Sequence, residues 1–148
     1  MNRFDKFMPF IFKWECVRDR KGNVIAENDP DDPGGLTKYG IDQRSHPNTD
    51  IRNLTERQAR TIYLTEYWER NKIDSMPEPL GEAYFNACVN CGAGRARKLL
   101  AQSGNSASGF IRAQEDFYRR LADSRPSLRK FLKGWLNRTT DLKKFIKA

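Results

Sequence analysis

The chain has 148 residues, 38% of them hydrophobic and 31% charged, with a formal net charge of +8 at pH 7. That is enough apolar material for one core without disulfides, and no run approaches the roughly 18–20 apolar residues that a bilayer span needs. The cation excess favours anionic partners, namely nucleic acid, anionic lipid or a bacterial wall carrying carboxylates and phosphates, and charge alone does not choose among them.

At the N-terminus, Phe4, Phe7, Met8, Ile11, Phe12 and Glu15 recur at helical spacing. They predict a helix over residues 3–15 with Glu15 at its C-terminal end and Pro9 as a kink point. Asp5, Lys6 and Lys13 interrupt or bound the apolar stretch, and no small-residue cleavage site follows. The segment therefore reads as mature helix rather than secretion signal, and the chain is expected to stay in the cytoplasm until something else releases it. Val17 and the pair Val24-Ile25, around Gly22-Asn23, predict a small hairpin. Asp29-Pro30-Asp31-Asp32-Pro33-Gly34-Gly35-Leu36-Thr37-Lys38-Tyr39-Gly40-Ile41 follows. With three acids, two prolines and three glycines it is a poor helix and a poor strand, and is expected to form a rigid, tightly shaped loop. His46-Pro47-Asn48 marks a turn.

Thr55 and Gln58 form a capping box, with Leu54 in the staple position, for a helix continuing to Trp68. After Pro77 and Pro79, residues 80–90 read as a largely buried helix that Gly92 and Gly94 break. A short helix is expected over 96–102, a long one over 109–123, and a last helical stretch from Pro126, with the tail from Thr139 adding a turn or fraying. The outline is a mainly α domain with one small β element beside the acidic loop. Trp68 reads as core, and His46 as incidental to its turn. Arg95, Arg97 and Lys98 have a solvated face as their default reading and wall or phosphate contact as the sharper one.

Cys16, Cys88 and Cys91 are an odd set, better suited to a reduced protein than to a disulfide framework. A zinc site at Cys88-Val89-Asn90-Cys91 would need two more ligands, with only His46 and Cys16 left. A redox motif would need a strand–helix context. Structural thiols are the preferred reading, and no metal or other cofactor is called for.

A rigid loop of carboxylates near another carboxylate on a regular element is what acid/base hydrolysis requires. Cleaving a glycosidic bond needs an acid to protonate the leaving oxygen and a second group to activate water or stabilise the sugar cation. Glu15, at the negative end of a helix dipole and flanked by Trp14 and Cys16, suits the acid. A surface Glu at a helix end is the bland alternative. Asp29, Asp31 and Asp32 can supply the second carboxylate, and at least one of them is expected only to shape the turn. The Thr37 hydroxyl can hold a water, or merely a turn hydrogen bond. Tyr39 can line a sugar cleft.

Glu15 followed by Asp32-Pro33-Gly34-Gly35-Leu36-Thr37-Lys38-Tyr39-Gly40-Ile41 resembles glycoside hydrolase family 108, the phage and prophage lysozyme-like muramidases. Residues 85–96 (FNACVNCGAGRA) and 131–138 (FLKGWLNR) resemble the opening and closing signatures of the C-terminal peptidoglycan-binding region that accompanies it. The resemblance implies a lysozyme-like α+β fold over 1–148, with a catalytic part at 1–76 and a helical wall-binding part at 77–148. It implies Glu15 as general acid, Asp32 and Thr37 as the water-positioning pair, and Asp31 then Asp29 as rivals for the second acid. The chain departs from the family in continuing Glu15 as Cys16-Val17 rather than as two glycines, and in a longer stretch between Glu15 and Asp32. The implied function is hydrolysis of peptidoglycan glycan strands by a monomeric endolysin, which reaches the wall through a separate holin. A non-catalytic basic module binding cell wall or nucleic acid is the alternative. Damage to membranes by the basic tail, residues 143–147, is at most a side activity.

Overall fold

The side-chain oxygen of Asn2 accepts a hydrogen bond from the Asp5 amide at 2.8 Å, satisfying one of the orphan donors that every helix start leaves. Helix α1 then runs Arg3–Glu15, with Pro9 inside it. Cys16 is extended, at φ −87° and ψ 135°, and stops it. Glu15 is therefore the last helical residue, as the spacing predicts. Phe4, Phe7, Met8, Phe10, Ile11 and Phe12 are all buried, so the apolar face is wider than the single stripe expected.

The computed structural model describes residues 1–28 and 34–148. Two compact units make up the chain, Met1–Thr65 and Glu66–Ala148. In the first unit, Arg18 and Val24 form one antiparallel bridge. The Asp19 carboxylate braces the turn between them by accepting from the amides of Lys21 and Asn23, at 2.9 Å each. The expected hairpin is present as this single bridge with an Asp-capped turn. A three-stranded antiparallel sheet follows, in the order β1 (Glu27–Asn28), β2 (Leu36–Lys38), β3 (Ile41–Asp42).

The glycine-rich segment is thus not a loop throughout. Lys38 pairs with Ile41, leaving Tyr39-Gly40 as a two-residue connection. Tyr39 has φ +56° and Gly40 φ +79°. Positive φ at both central residues is the mark of a type I′ turn, whose twist matches that of the strands it joins. A glycine that counts against a strand by propensity here closes a hairpin. Helix α2 spans Glu56–Tyr63 and opens with the expected capping box: Thr55 Oγ1 accepts from the Gln58 amide at 3.2 Å, and Gln58 Oε1 from the Thr55 amide at 2.9 Å. Leu54 is buried. From Leu64 to Glu69 the helix widens to a π-helix, which hydrophobic periodicity does not distinguish from α.

In the second unit, Trp68 is 1% exposed and packs edge-on against Phe85, ring centres 5.0 Å apart. The helices are α3 (Leu80–Cys91), α4 (Ala93–Ser103), α5 (Ala107–Ser124) and α6 (Leu132–Ile146), with a 3-10 turn at Pro126–Phe131. Gly92, at φ +88°, separates α3 from α4, whereas Gly94 lies inside α4. The tail is helical as far as Ile146. Tyr84 meets Phe110 between α3 and α5, and Tyr118 stacks on Trp135 between α5 and α6. Buried Arg138 donates from Nε to Asn86 Oδ1 at 3.0 Å, tying α6 to α3. Asn90 and Gln114 both donate to the Tyr118 hydroxyl. The two C-terminal sequence signatures therefore meet in one buried polar cluster. Arg95 stands over the Phe117 ring at 4.4 Å, so it belongs to a cation–π pair and not to a purely solvated face. Among the described residues no helix is long and apolar enough to cross a membrane.

Cys16, Cys88 and Cys91 are free thiols. Burial pushes Cys88 up to about 12, with the neighbouring Cys91 adding to it, and Cys91 up to about 11. Burial also raises the Tyr118 phenol to about 12. These groups are neutral and unreactive at pH 7, which fits the structural reading of the thiols. Because folding raises them, their contribution to stability is complete below the unfolded thiol value of about 8.5 and is lost as pH climbs toward 11–12. Urea unfolding should therefore show stability falling between pH 8 and about pH 10, with a flatter profile in the Cys88→Ala/Cys91→Ala variant. A wild-type profile no steeper than that of the double variant would contradict this.

Candidate active site

Helix α1 delivers Glu15, and the helical repeat puts Phe12 on the same face one turn earlier. Phe12 is the aromatic hub of this region. Its ring meets Tyr39 edge-on at 5.6 Å and Tyr63 at 6.0 Å, and the Arg60 guanidinium stands over it at 5.4 Å. These contacts fix the rotation of the last turn of α1, and with it the direction in which Glu15 leaves the helix.

The β2–β3 turn closes against that helix end. A methyl group built on Gly40 would run into the Tyr63 hydroxyl oxygen, and would lie 2.8 Å from Glu15 Cβ and 2.9 Å from Glu15 Oε1. Only a residue without a side chain fits, and the positive φ asks for glycine as well. The Tyr63 hydroxyl donates to the Tyr39 carbonyl at 2.7 Å. Tyr39 itself is half-buried, with Lys38 Nζ 5.7 Å from its ring centre. Burial raises its phenol, with Glu56 and Cys16 acting in the same direction and Arg18 against them.

Thr37 sits in the middle of β2, opposite Glu27 on one side and Asp42 on the other. Its hydroxyl donates to the Gly35 carbonyl at 3.3 Å, the bland turn role anticipated for it. With the proton committed there, the oxygen lone pairs remain available to accept from a water. Glu15, Thr37 and Tyr39 thus all belong to the first unit, and the turn that joins β2 to β3 rests on Glu15. Asp29, Asp31 and Asp32 lie outside the described residues. Cys16 replaces the first of the two glycines that the family resemblance leads one to expect after the acid. Its thiol is raised to about 11, chiefly by burial, with Glu15 and Glu56 raising it further and Arg18 opposing.

A groove on the same unit is lined by Pro9, Phe12, Lys13, Arg18, Glu56 and Arg60. It carries three cations and one acid, and one of its walls is the ring on which Tyr39 packs. Among the described residues no group of His, Cys, Asp and Glu could hold a metal ion. Two residues of the candidate site carry no sequence signal of their own. Gly40 was only part of a motif, and Tyr63 only one residue of a helical stripe. A contact across 24 positions of chain, from the Tyr63 hydroxyl to the Tyr39 carbonyl, brings Tyr63 to this turn.

The fold is shared with a solved structure described as that of Brucella abortus SagA. The two chains are 22% identical, with a TM-score of 0.73, over 95% of this chain and 91% of that one. No curated protein matches the chain. The family model described as Glycosyl hydrolase 108 matches residues 8–92, more than half of the chain. That stretch includes Glu15, Thr37, Tyr39, Gly40 and Tyr63, and it stops before the closing C-terminal signature at 131–138. The chain therefore belongs to glycosyl hydrolase family 108, and it is a peptidoglycan-degrading glycosidase.

Proposed function

We propose that this glycosidase is a muramidase, hydrolysing the β-1,4 bond between N-acetylmuramic acid and N-acetylglucosamine. The observation that carries this reading is the setting of Glu15: one carboxyl at a helix end, held against a glycine turn that leaves no freedom for a side chain. A general acid must meet the glycosidic oxygen within hydrogen-bond reach, and such a rigid mount supplies that placement. Glu15 gives its proton to the leaving oxygen as the C1–O bond breaks. Asp32, with Asp31 as its rival, orients or activates the incoming water, and the Thr37 hydroxyl oxygen accepts a hydrogen bond from that water while donating to the Gly35 carbonyl. The oxygen of that water ends on C1 and its proton restores the carboxyl pair.

Tyr39 lines the cleft, offering an aromatic face to a sugar ring. The cationic groove beside it suits the carboxylates of the peptides that peptidoglycan carries. The helical second unit supplies wall contact, supported by the resemblance of residues 85–96 and 131–138 to a peptidoglycan-binding region. In its biological setting we read the protein as a monomeric endolysin of phage origin. It is held in the cytoplasm and freed by a holin to lyse the host.

Glu15→Gln keeps the size and packing of the side chain and removes the acid. It should lower the rate of clearing of outer-membrane-stripped Gram-negative cells by about 10²–10⁴-fold, with an unchanged circular dichroism spectrum. Normal clearing by a folded Glu15→Gln variant would remove the assignment. Between the loop acids, Asp32→Asn should reduce the rate more than Asp31→Asn does, and the opposite order would reassign the second group to Asp31.

A further inference from the structure

Tyr39 is an aromatic residue held at φ +56°, a conformation that bulky side chains seldom adopt. Left-handed backbone is unfavourable for a non-glycine residue, so something must hold it there. Two contacts do so. The Tyr39 ring packs edge-on against Phe12, and its carbonyl accepts from the Tyr63 hydroxyl at 2.7 Å. Tyr63 is 1% exposed, and its own ring is fixed against Phe12 at 6.0 Å. The hydroxyl is also one of the atoms that leave no room for a Cβ on Gly40, and Glu15 Oε1 is another. The hydroxyl, the turn and the carboxyl therefore share one closely packed contact. α2 supplies the first, the β2–β3 hairpin the second and the end of α1 the third.

We propose that Tyr63 is a positioning residue of the active site. Its hydroxyl clamps the Tyr39–Gly40 turn in the left-handed form, and the clamped turn is the surface that sets the Glu15 carboxyl in its reactive direction. Tyr63 acts on the reaction through the turn and Glu15 rather than on the substrate. Without the hydroxyl the Tyr39 carbonyl loses its partner, the turn relaxes away from positive φ, and Glu15 gains freedom to point elsewhere. A carboxyl that is still present but loosely aimed lowers the rate of the chemical step more than it weakens substrate binding. The inference rests on Glu15 as general acid.

The test compares Tyr63→Phe with wild type on soluble peptidoglycan fragments. That substitution keeps the ring and removes one oxygen. The expected result is a fall in kcat of about tenfold or more with KM within about twofold. Amide hydrogen exchange over residues 36–42 should be faster, and the melting transition should stay cooperative. Gly40→Ala strikes the same contact from the other side and should give the same loss of kcat. Its methyl meets Glu15 directly, so lost kcat there shows only that the turn contact sets the carboxyl, whereas wild-type kcat would overturn the proposal even should Tyr63→Phe fail to fold. Wild-type kcat in whichever of the two variants folds would overturn the proposal, and so would lost kcat without faster exchange in the turn. Glu15→Gln run in parallel separates the two levels: retained activity there removes the general-acid reading itself, whatever Tyr63→Phe does.

Discussion

The Glu15 side chain and the Gly40 backbone approach so closely that a single methyl group would not fit between them. This contact shapes the candidate active site, and several features of the first unit permit it. The helix must stop at Glu15, and Cys16 leaves it at once for extended backbone. The chain must return as a two-residue hairpin, and Tyr39 and Gly40 both take positive φ to make one. Something must hold the strained turn, and Phe12 and Tyr63 do so from α1 and α2. Packing of this kind is a rigid constraint, since interiors at crystalline density do not yield a few tenths of an ångström without cost.

The second unit is organised by polar contacts inside an aromatic frame. Arg138 reaches Asn86, and Asn90 and Gln114 converge on the hydroxyl of Tyr118, whose ring stacks on that of Trp135. Buried groups of this sort strongly favour one arrangement of helices, because any slip leaves donors and acceptors without partners. The thiols of Cys88 and Cys91, held neutral by burial, behave as small apolar side chains of α3.

Features set by local pattern were legible in the sequence. The end of α1 at Glu15, the capping box of α2, the buried run of α3 and the core placement of Trp68 each depend on neighbours within one or two turns. Features set by long-range contact were not. Leu36 to Asp42 contains a hairpin that composition disguised as a loop, because a type I′ turn uses the same glycine that propensity counts against a strand. The π-helical turn at Leu64–Glu69 has no periodicity of its own to distinguish it. Tyr63 looked like one more core residue, and its meaning depends on a carbonyl 24 positions away. Glu15 was legible as an acid at a helix end, whereas the glycine that seats it had to be seen in space.

The family assigns glycosidase chemistry to this chain, and the proposal built on it is protonation of the glycosidic oxygen by Glu15 with attack of water at C1. The most direct measurement is digestion of purified peptidoglycan in heavy-oxygen water, with rapid reduction of the products and mass spectrometry of the fragments. Hydrolysis by a muramidase puts one heavy oxygen on C1 of a reducing-end N-acetylmuramic acid, and that product should dominate. Fragments ending in reducing N-acetylglucosamine, or anhydro ends carrying no heavy oxygen, would contradict it.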